Sequence, residues 1–347
     1  MPTYLLIAGT RPEAIKLSPV AAALREEGAV AEFCTVGQHG DLLLDTLAEL
    51  GERPRHTLFP FQVGRTPEAL LERILSTLPP LLTAIAPDGV IVQGDTTSAL
   101  GGALSAFYQK RRLIHVEAGL RTYSPAPFPE EAHRRMIAPL ADLHLCPTKA
   151  DADALSAERV QGRIAVTGNS GLDALRWALS KPTPPLPDLC GKAVLCTLHR
   201  RETAPLLPAA MAALRQIADA IPDCRILFPA HPSAAVEIAQ HPAIQIIPPL
   251  SYSVCAHLLP RLTLLITDSG GLQEEAAYLG VPTLVFRESS ERGLAPSLQI
   301  IGSDPSIMAE QAIDLLASEA RRTALCIPSH RYGDGFAARR MAREILS

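Results

Sequence analysis

Residues 262–280 read LTLLITDSGGLQEEAAYLG, and this stretch decides the fold. The apolar run 262–266 has no polar alternation, as expected of a strand buried on both faces. Ser269 suits a helix N-cap. Gly270 and Gly271 let the backbone turn tightly and let its N–H groups approach a ligand. The alanine-rich segment that follows reads as a helix. A strand that feeds a helix N-terminus through a glycine turn is a site for an anionic group, without needing a lysine. Glu274 and Glu275 are expected in the first helical turn, where the dipole favours them. One of them has a second reading, as a partner for ribose hydroxyls.

The same alternation of apolar run and helical pattern extends in both directions. Strands are expected at 4–8, 31–36, 89–93, 113–116, 143–146 and 164–166, then at 193–197, 224–229, 244–247, 264–267 and 283–286. Alanine- and leucine-rich segments such as 13–27, 98–110 and 207–220 read as the helices between them. Continuous apolar strands separated by helices mean parallel sheets covered on both faces, so the fold class is α/β. The proline-rich stretch SKPTPPLPDLCGK, 180–192, reads as a linker, because its prolines fit neither a helix core nor a sheet interior. A chain of 347 residues is too long for one ordinary core and comfortable for two. The expectation is two Rossmann-like doubly wound domains with a cleft between them. Ligands in such sheets collect beyond the carboxyl ends of the strands.

Bulk properties narrow the function. Hydrophobic residues make up 47% and charged residues 20%, which fits a globular protein rather than a disordered one. A net charge of −4 argues against a nucleic-acid partner. The seven cysteines form no C-x-x-C pair and lie mostly in apolar runs, so free buried thiols are expected and a metal site is not. The opening MPTYLLIAGTRPEA lacks a basic leader, and no apolar run is long enough for a membrane helix. The cytoplasm is the expected location, with no membrane partner.

The joints after the strands carry the unusual polar groups. In IAGTRPEAIK, Pro12 and Glu13 suit a helix start, whereas Arg11 and Lys16 oppose the dipole there and together favour an anionic ligand. In QGDTTSAL, Asp95 reads equally as a helix cap or as a cleft carboxylate. Glu117 follows a strand directly, and a proline-rich loop then delivers Glu130 and Glu131 with His133, Arg134 and Arg135. Capping at Pro129 explains one of these glutamates but not Glu117. Gathered carboxylates with separated pKa values serve as acid and base. His199, flanked by Arg200 and Arg201, ends the first strand of the second half, and His231 stands similarly between prolines. Neither a G-x-G-x-x-G fingerprint nor a P-loop is present.

In order along the chain stand GTRPEAIK, GDTTSAL, HVEAGLRT, FPEEAHRR, GNSGLDAL, HRRET, TDSGGLQEEA and YGDG. Together they resemble the non-hydrolysing UDP-N-acetylglucosamine 2-epimerases, from Gly9 to Gly335. The resemblance implies a GT-B arrangement with an interdomain active-site cleft, no cofactor and a nucleotide-sugar substrate. It also implies a homodimer and a C-terminal helix returned to the first domain. The domains are then 1–168 plus 332–347, carrying the acid/base carboxylates, and 169–331, binding the nucleotide. The family reaction removes the C2 proton while UDP leaves C1, and reverses through a 2-acetamidoglucal to the manno epimer. Carried over by motif, Asp95, Glu117 and Glu130 are the acid/base set. His199 and Arg11 act on the diphosphate, and Lys16 supports the set. Ser269, Gly270 and Gly271 bind the diphosphate and Glu275 the ribose, with Arg292, Glu131 and Arg134 as further substrate contacts. Gln38, His39, Arg200 and His231 match a second, allosteric substrate site.

The chain departs from the family pattern in several places. Cys255 replaces an aromatic residue that stacks on the base, ERGLA stands at 291–295, QHGDL stands at 38–42, and His133 replaces an asparagine. The alternatives are a hydrolysing relative that releases UDP and free N-acetylmannosamine, a GT-B glycosyltransferase, and a non-catalytic nucleotide-sugar binder. The carboxylate-rich first half argues against the glycosyltransferase.

Overall fold

We describe the fold from a computed structural model, whose described residues are 1–37, 41–59, 66–125, 127–200, 202–230 and 241–347. The chain divides into two compact units, Met1–Trp177 with Tyr332–Ser347, and Ala178–Arg331.

The first unit is built on seven parallel strands: β1 (Thr3–Ala8), β2 (Val30–Thr35), β3 (His56–Thr57), β4 (Gly89–Gln93), β5 (Arg112–Val116), β6 (Leu143–Cys146) and β7 (Arg163–Val166). Their order across the sheet is β3-β2-β1-β4-β5-β6-β7. Successive strand residues face opposite ways, so each strand feeds two cores. Leu6, Ile91 and Ile114 pack with Leu17, Val20 and Leu24 of α1 (Arg11–Glu26). Leu5, Ile7 and Val92 pack on the other face with α3 (Pro67–Ile85) and α4 (Thr97–Tyr108). Helix α2 (Asp41–Glu49) packs beside α1, and α5 (Glu130–Ile137) and α6 (Lys149–Ala157) connect the later strands. These unbroken apolar strands match the expected α/β class.

The second unit repeats the plan with β8 (Lys192–Thr197), β9 (Cys224–Pro229), β10 (Ile244–Ile247), β11 (Leu264–Thr267), β12 (Thr283–Val285) and β13 (Leu298–Ile300). All pair in parallel, in the order β10-β9-β8-β11-β12-β13. Val194 and Cys196 face α8 (Leu207–Ala220) and α11 (Pro305–Ala317), while Ala193 and Leu195 face α9 (Tyr252–Leu258) and α10 (Gly270–Leu279). A short α12 (Glu319–Leu325) completes this unit. Strands β3 and β13 have no counterpart in the sequence reading. Each is two or three residues at a sheet edge, too short to leave a pattern.

Residues 169–177, assigned to the second domain on sequence, are held to the first unit through α7 (Gly171–Leu179) and its approach. The Asn169 N–H donates to the Tyr332 carbonyl at 2.8 Å, and Ser170 Oγ to the Lys16 carbonyl at 2.6 Å. Asp173 accepts the first N–H groups of α13 (Ala337–Leu346), from Ala337 and Ala338, each at 3.0 Å. Helix α13 buries Ala338, Met341 and Ile345 in the same core as α1. Residues 181–191 carry no helix or strand. None of the seven cysteines is in a disulfide: five are buried, whereas Cys190 and Cys326 are exposed. Among the described residues no helix is long and apolar enough to cross a membrane.

Candidate active site

Each sheet has one point where the strand order reverses. In the first it lies between β1 and β4, in the second between β8 and β11. Loops leave such a point in opposite directions and open a crevice for a ligand. Arg11 and Asp95 follow the two strands of the first point, and His199 and Ser269 follow those of the second.

At the first point, Glu13 staples the two loops. Its Oε2 accepts from the N–H groups of Gly9 (2.8 Å) and Thr10 (2.7 Å) and from Thr10 Oγ1 (2.8 Å), and its Oε1 accepts from Thr96 Oγ1 (2.6 Å). Thr10 completes a capping box by accepting from the Glu13 N–H. The turn is tight: a Cβ on Gly9 would lie 1.9 Å from Ser98 Oγ. Burial pushes the Glu13 carboxyl up to about 7 against these hydrogen bonds. Arg11, the first residue of α1, makes no side-chain hydrogen bond or ion pair among the described residues and is partly exposed.

Glu117 stands one residue beyond β5 with φ +62°, a left-handed backbone that a non-glycine residue takes only under constraint. Its Oε2 lies 2.5 Å from Lys16 Nζ and also accepts from Gln93 Nε2. Lys16 therefore turns inward from α1: the side chains of this pair are 8% and 4% exposed. Behind them, His115 Nε2 lies 2.8 Å from the Gly94 carbonyl, and burial holds its imidazole down to about 3. It is neutral at physiological pH, with the proton on Nε2.

Asp95 is fixed twice by α5. Arg134 Nε donates to its Oδ2 at 2.6 Å, and His133 Nδ1 lies 2.8 Å from its carbonyl. Arg134 also donates to Glu131 Oε2 at 3.2 Å, while Glu131 accepts from the N–H groups of Thr122 and Tyr123. Glu131 and Arg134, read on sequence as substrate contacts, are buried and direct these bonds inward. Glu130 begins α5 and stays partly exposed, and its carboxylate makes no hydrogen bond or ion pair among the described residues.

At the second point, Ser269 caps α10 by accepting from the Leu272 N–H. The N–H groups of Gly270 and Gly271, the first of the helix, have no partner within it. A Cβ on Gly271 would meet no atom within 4 Å, whereas one on Gly270 would lie 2.6 Å from Arg292 Nε. Arg292 is thus laid across the helix start and paired with Glu274. Glu274 and Glu275 stand beyond the first turn, because α10 begins at Gly270; the dipole does not account for them. Their partners do: Arg292 for Glu274, and Tyr252 Oη, 3.1 Å away, for Glu275. Cys255 is buried on α9, one turn after Tyr252. His199 projects after β8 with its side chain 63% exposed, and Nδ1 lies 3.2 Å from Asp268. The Arg200 N–H donates to Asp268 as well.

Gln38, His39 and His231 lie outside the described residues. Sequence reading passed over Gln93, Asp268 and Tyr252, and gave Glu13 only a role at the helix start. The first two are polar residues at strand ends, a signal open to use; Tyr252 inside a helix offered none. Among the described residues no group of three or more His, Cys, Asp or Glu side chains is arranged to hold a metal ion.

The family model for UDP-N-acetylglucosamine 2-epimerase matches residues 22–346 of this geometry's chain. The chain belongs to the UDP-N-acetylglucosamine 2-epimerase family. It is 35% identical over 358 residues to the UDP-N-acetylglucosamine 2-epimerase of Bacillus subtilis, covering 99% of this chain and 94% of that protein. It is 35% identical over 364 residues to that of Escherichia coli K12, covering 97% and 96%. Among solved structures, the Neisseria meningitidis UDP-GlcNAc 2-epimerase bound to UDP-GlcNAc matches with a TM-score of 0.91 at 29% identity, covering 99% of both chains. The two parallel sheets are therefore those of the epimerase family, whose GT-B type the sequence reading expected.

Proposed function

We propose that the protein interconverts UDP-N-acetylglucosamine, or a close nucleotide amino sugar, and its manno epimer without net hydrolysis. One observation carries this reading: the first unit holds several carboxylates in unlike surroundings. Glu117 is buried on Lys16 and Gln93, Asp95 is pinned by Arg134, and Glu130 is partly exposed. Epimerisation needs a proton taken from one face of C2 and returned to the other, which calls for more than one acid/base group. Relatives named UDP-N-acetylglucosamine 2-epimerase, one of them solved with UDP-GlcNAc, support the substrate class.

A carboxylate removes the C2 proton as the C1–O bond breaks. The C2–H electron pair becomes the C1=C2 bond of a 2-acetamidoglucal, and UDP leaves with the C1–O pair. UDP then adds back to C1 while another carboxyl delivers a proton to the opposite face of C2. The leaving diphosphate gains negative charge, which Arg11, Arg292, His199 and the Ser269–Gly270–Gly271 helix start stabilise. Glu275 takes the ribose. Lys16 holds Glu117 in place through their ion pair, and Glu131 with Arg134 positions Asp95 rather than touching the sugar. On the same reading the protein is a cytoplasmic homodimer with no metal or organic cofactor.

The test is incubation with UDP-N-acetylglucosamine in heavy water, followed by NMR. The expected result is deuterium at C2 of both epimers with UDP far below stoichiometric. Stoichiometric UDP with free N-acetylmannosamine would replace this reading with the hydrolysing one. Absence of C2 exchange on every nucleotide N-acetylhexosamine tried would overturn both.

A further inference from the structure

Asp268 has no assigned role, yet three donors hold one of its carboxylate oxygens. It follows β11 directly, between the strand and the Ser269 cap of α10, and its side chain is 0% exposed. Its Oδ2 accepts from the N–H groups of His199 and Arg200, each at 2.9 Å, and from Thr203 Oγ1 at 2.7 Å. These bonds wrap the loop after β8 around one oxygen. The other oxygen, Oδ1, is buried and accepts no hydrogen bond among the described residues. A buried carboxylate oxygen without a donor is unfavourable. The imidazole Nδ1 of His199 lies 3.2 Å away, and the rest of that ring is exposed. A small rotation of the ring aligns Nδ1–H with Oδ1 and leaves Nε2 outward.

We propose that Asp268 is a positioning residue: it holds His199 as the Nδ1–H form and stabilises its imidazolium, so that Nε2–H meets the leaving diphosphate as part of a cation. The physical logic is that of a carboxylate behind an imidazole, which selects the tautomer and favours the protonated ring. The other groups facing this carboxylate do not substitute for the imidazole. On β8, the Cys196 thiol is kept protonated by burial and by Asp268 itself. In the loop, Arg200 gives its backbone N–H, and on the α10 side Arg292 is engaged by Glu274. One side chain thereby couples the two halves of the anion site, the helix start and the histidine. The identity of the anion rests on the proposed function; the Asp–His pair does not.

Two measurements separate these claims. The first is imidazole nitrogen NMR of the wild-type protein without ligand, with His199 assigned by loss of its signals in His199→Gln. The expected neutral form carries its proton on Nδ1, and a proton on Nε2 overturns the proposal without recourse to a variant that fails to fold. The second is titration of the same signals in Asp268→Asn. The amide cannot stabilise an imidazolium, so proton affinity at His199 is expected to fall about tenfold or more. The remaining histidines of the ten are expected to titrate as before. An unchanged His199 titration overturns the proposal. In the epimerase assay, the loss of activity on the alkaline side is expected to move to lower pH in Asp268→Asn, with kcat falling more than KM rises. A purely structural role would leave that pH profile in place. Addition of UDP is expected to shift the His199 ring nitrogen signals. An Nδ1–H ring that ignores UDP overturns the link to the diphosphate and, with it, the nucleotide reading of this site.

Discussion

The two sheets share one plan. The run β3-β2-β1-β4-β5-β6 in the first corresponds strand for strand to β10-β9-β8-β11-β12-β13 in the second. Their reversal points nevertheless carry opposite chemistry. In the first, a cation and a carboxylate are withdrawn together from solvent, Lys16 and Glu117 at 8% and 4% exposure. In the second, the carboxylate alone is withdrawn and the imidazole it faces stays 63% exposed. Withdrawal suits proton transfer, because burial and fixed partners separate the properties of otherwise identical carboxyls. Exposure suits capture of a charged group, because helix N–H groups and an exposed imidazole are ready for an anion arriving from water. The scaffold supplies the place, and the side chains buried behind it decide what the place does.

Glu117→Gln gives the widest separation of the two regions. Epimerase turnover is expected to fall about a hundred- to ten-thousand-fold, while UDP affinity by calorimetry is retained. Loss of UDP binding in that variant would erase the division of labour drawn above.

Glu13 sharpens the electrostatic side of the comparison. Its folded pKa of about 7 stands above the ordinary 4.5, so the folded state binds the proton more tightly than the unfolded chain does. Its contribution is therefore complete below pH 4.5 and is lost as pH rises through 7. The loss amounts to at most about 3 kcal/mol. Urea unfolding at pH 5 and pH 8 is expected to show this decline in the wild type and not in Glu13→Gln. Equal pH dependence in the two proteins would falsify the assignment.

In the second region, Gly271→Ala adds a methyl where the protein has no atom within 4 Å. Stability is expected to hold or rise by about 0.5 kcal/mol, since alanine favours a helix, while UDP affinity drops about tenfold. Undiminished UDP binding would move the diphosphate away from the α10 start. The smallest effect is expected away from both points. Asp173→Asn weakens the cap of α13, at a cost of about 1 kcal/mol in thermal or urea unfolding, with turnover otherwise unchanged.

Much of this was legible in the chain. The unbroken apolar runs at 89–93 and 264–267 read as buried parallel strands, and both are. The extra edge strands β3 and β13 were not legible, because pairing to a neighbour rather than local pattern creates them. At the candidate site, position singled out Arg11, Asp95, Glu117, His199 and Ser269, each just past a strand or at the first turn it feeds, and the resemblance supplied the roles expected of them. Their partners were harder. HVEAGLRT contains nothing that marks which cation pairs with Glu117, and that cation stands 101 residues earlier on α1. Asp268 was passed over beside the Ser269 cap in TDSGG, yet it binds the loop at His199, 69 residues earlier. Glu274 and Glu275 were explained by the helix dipole until the observed helix start placed them a turn too far along.

By itself, then, the sequence determined which elements form, in what order, and which side chains stand at their ends, because hydrophobic period, glycine turns and caps are local properties of the chain. Only the tertiary structure decided which of those side chains are buried, which pair, and which remain open to a ligand. Such outcomes depend on contacts between residues a hundred positions apart, and on the low-dielectric surroundings that those contacts create.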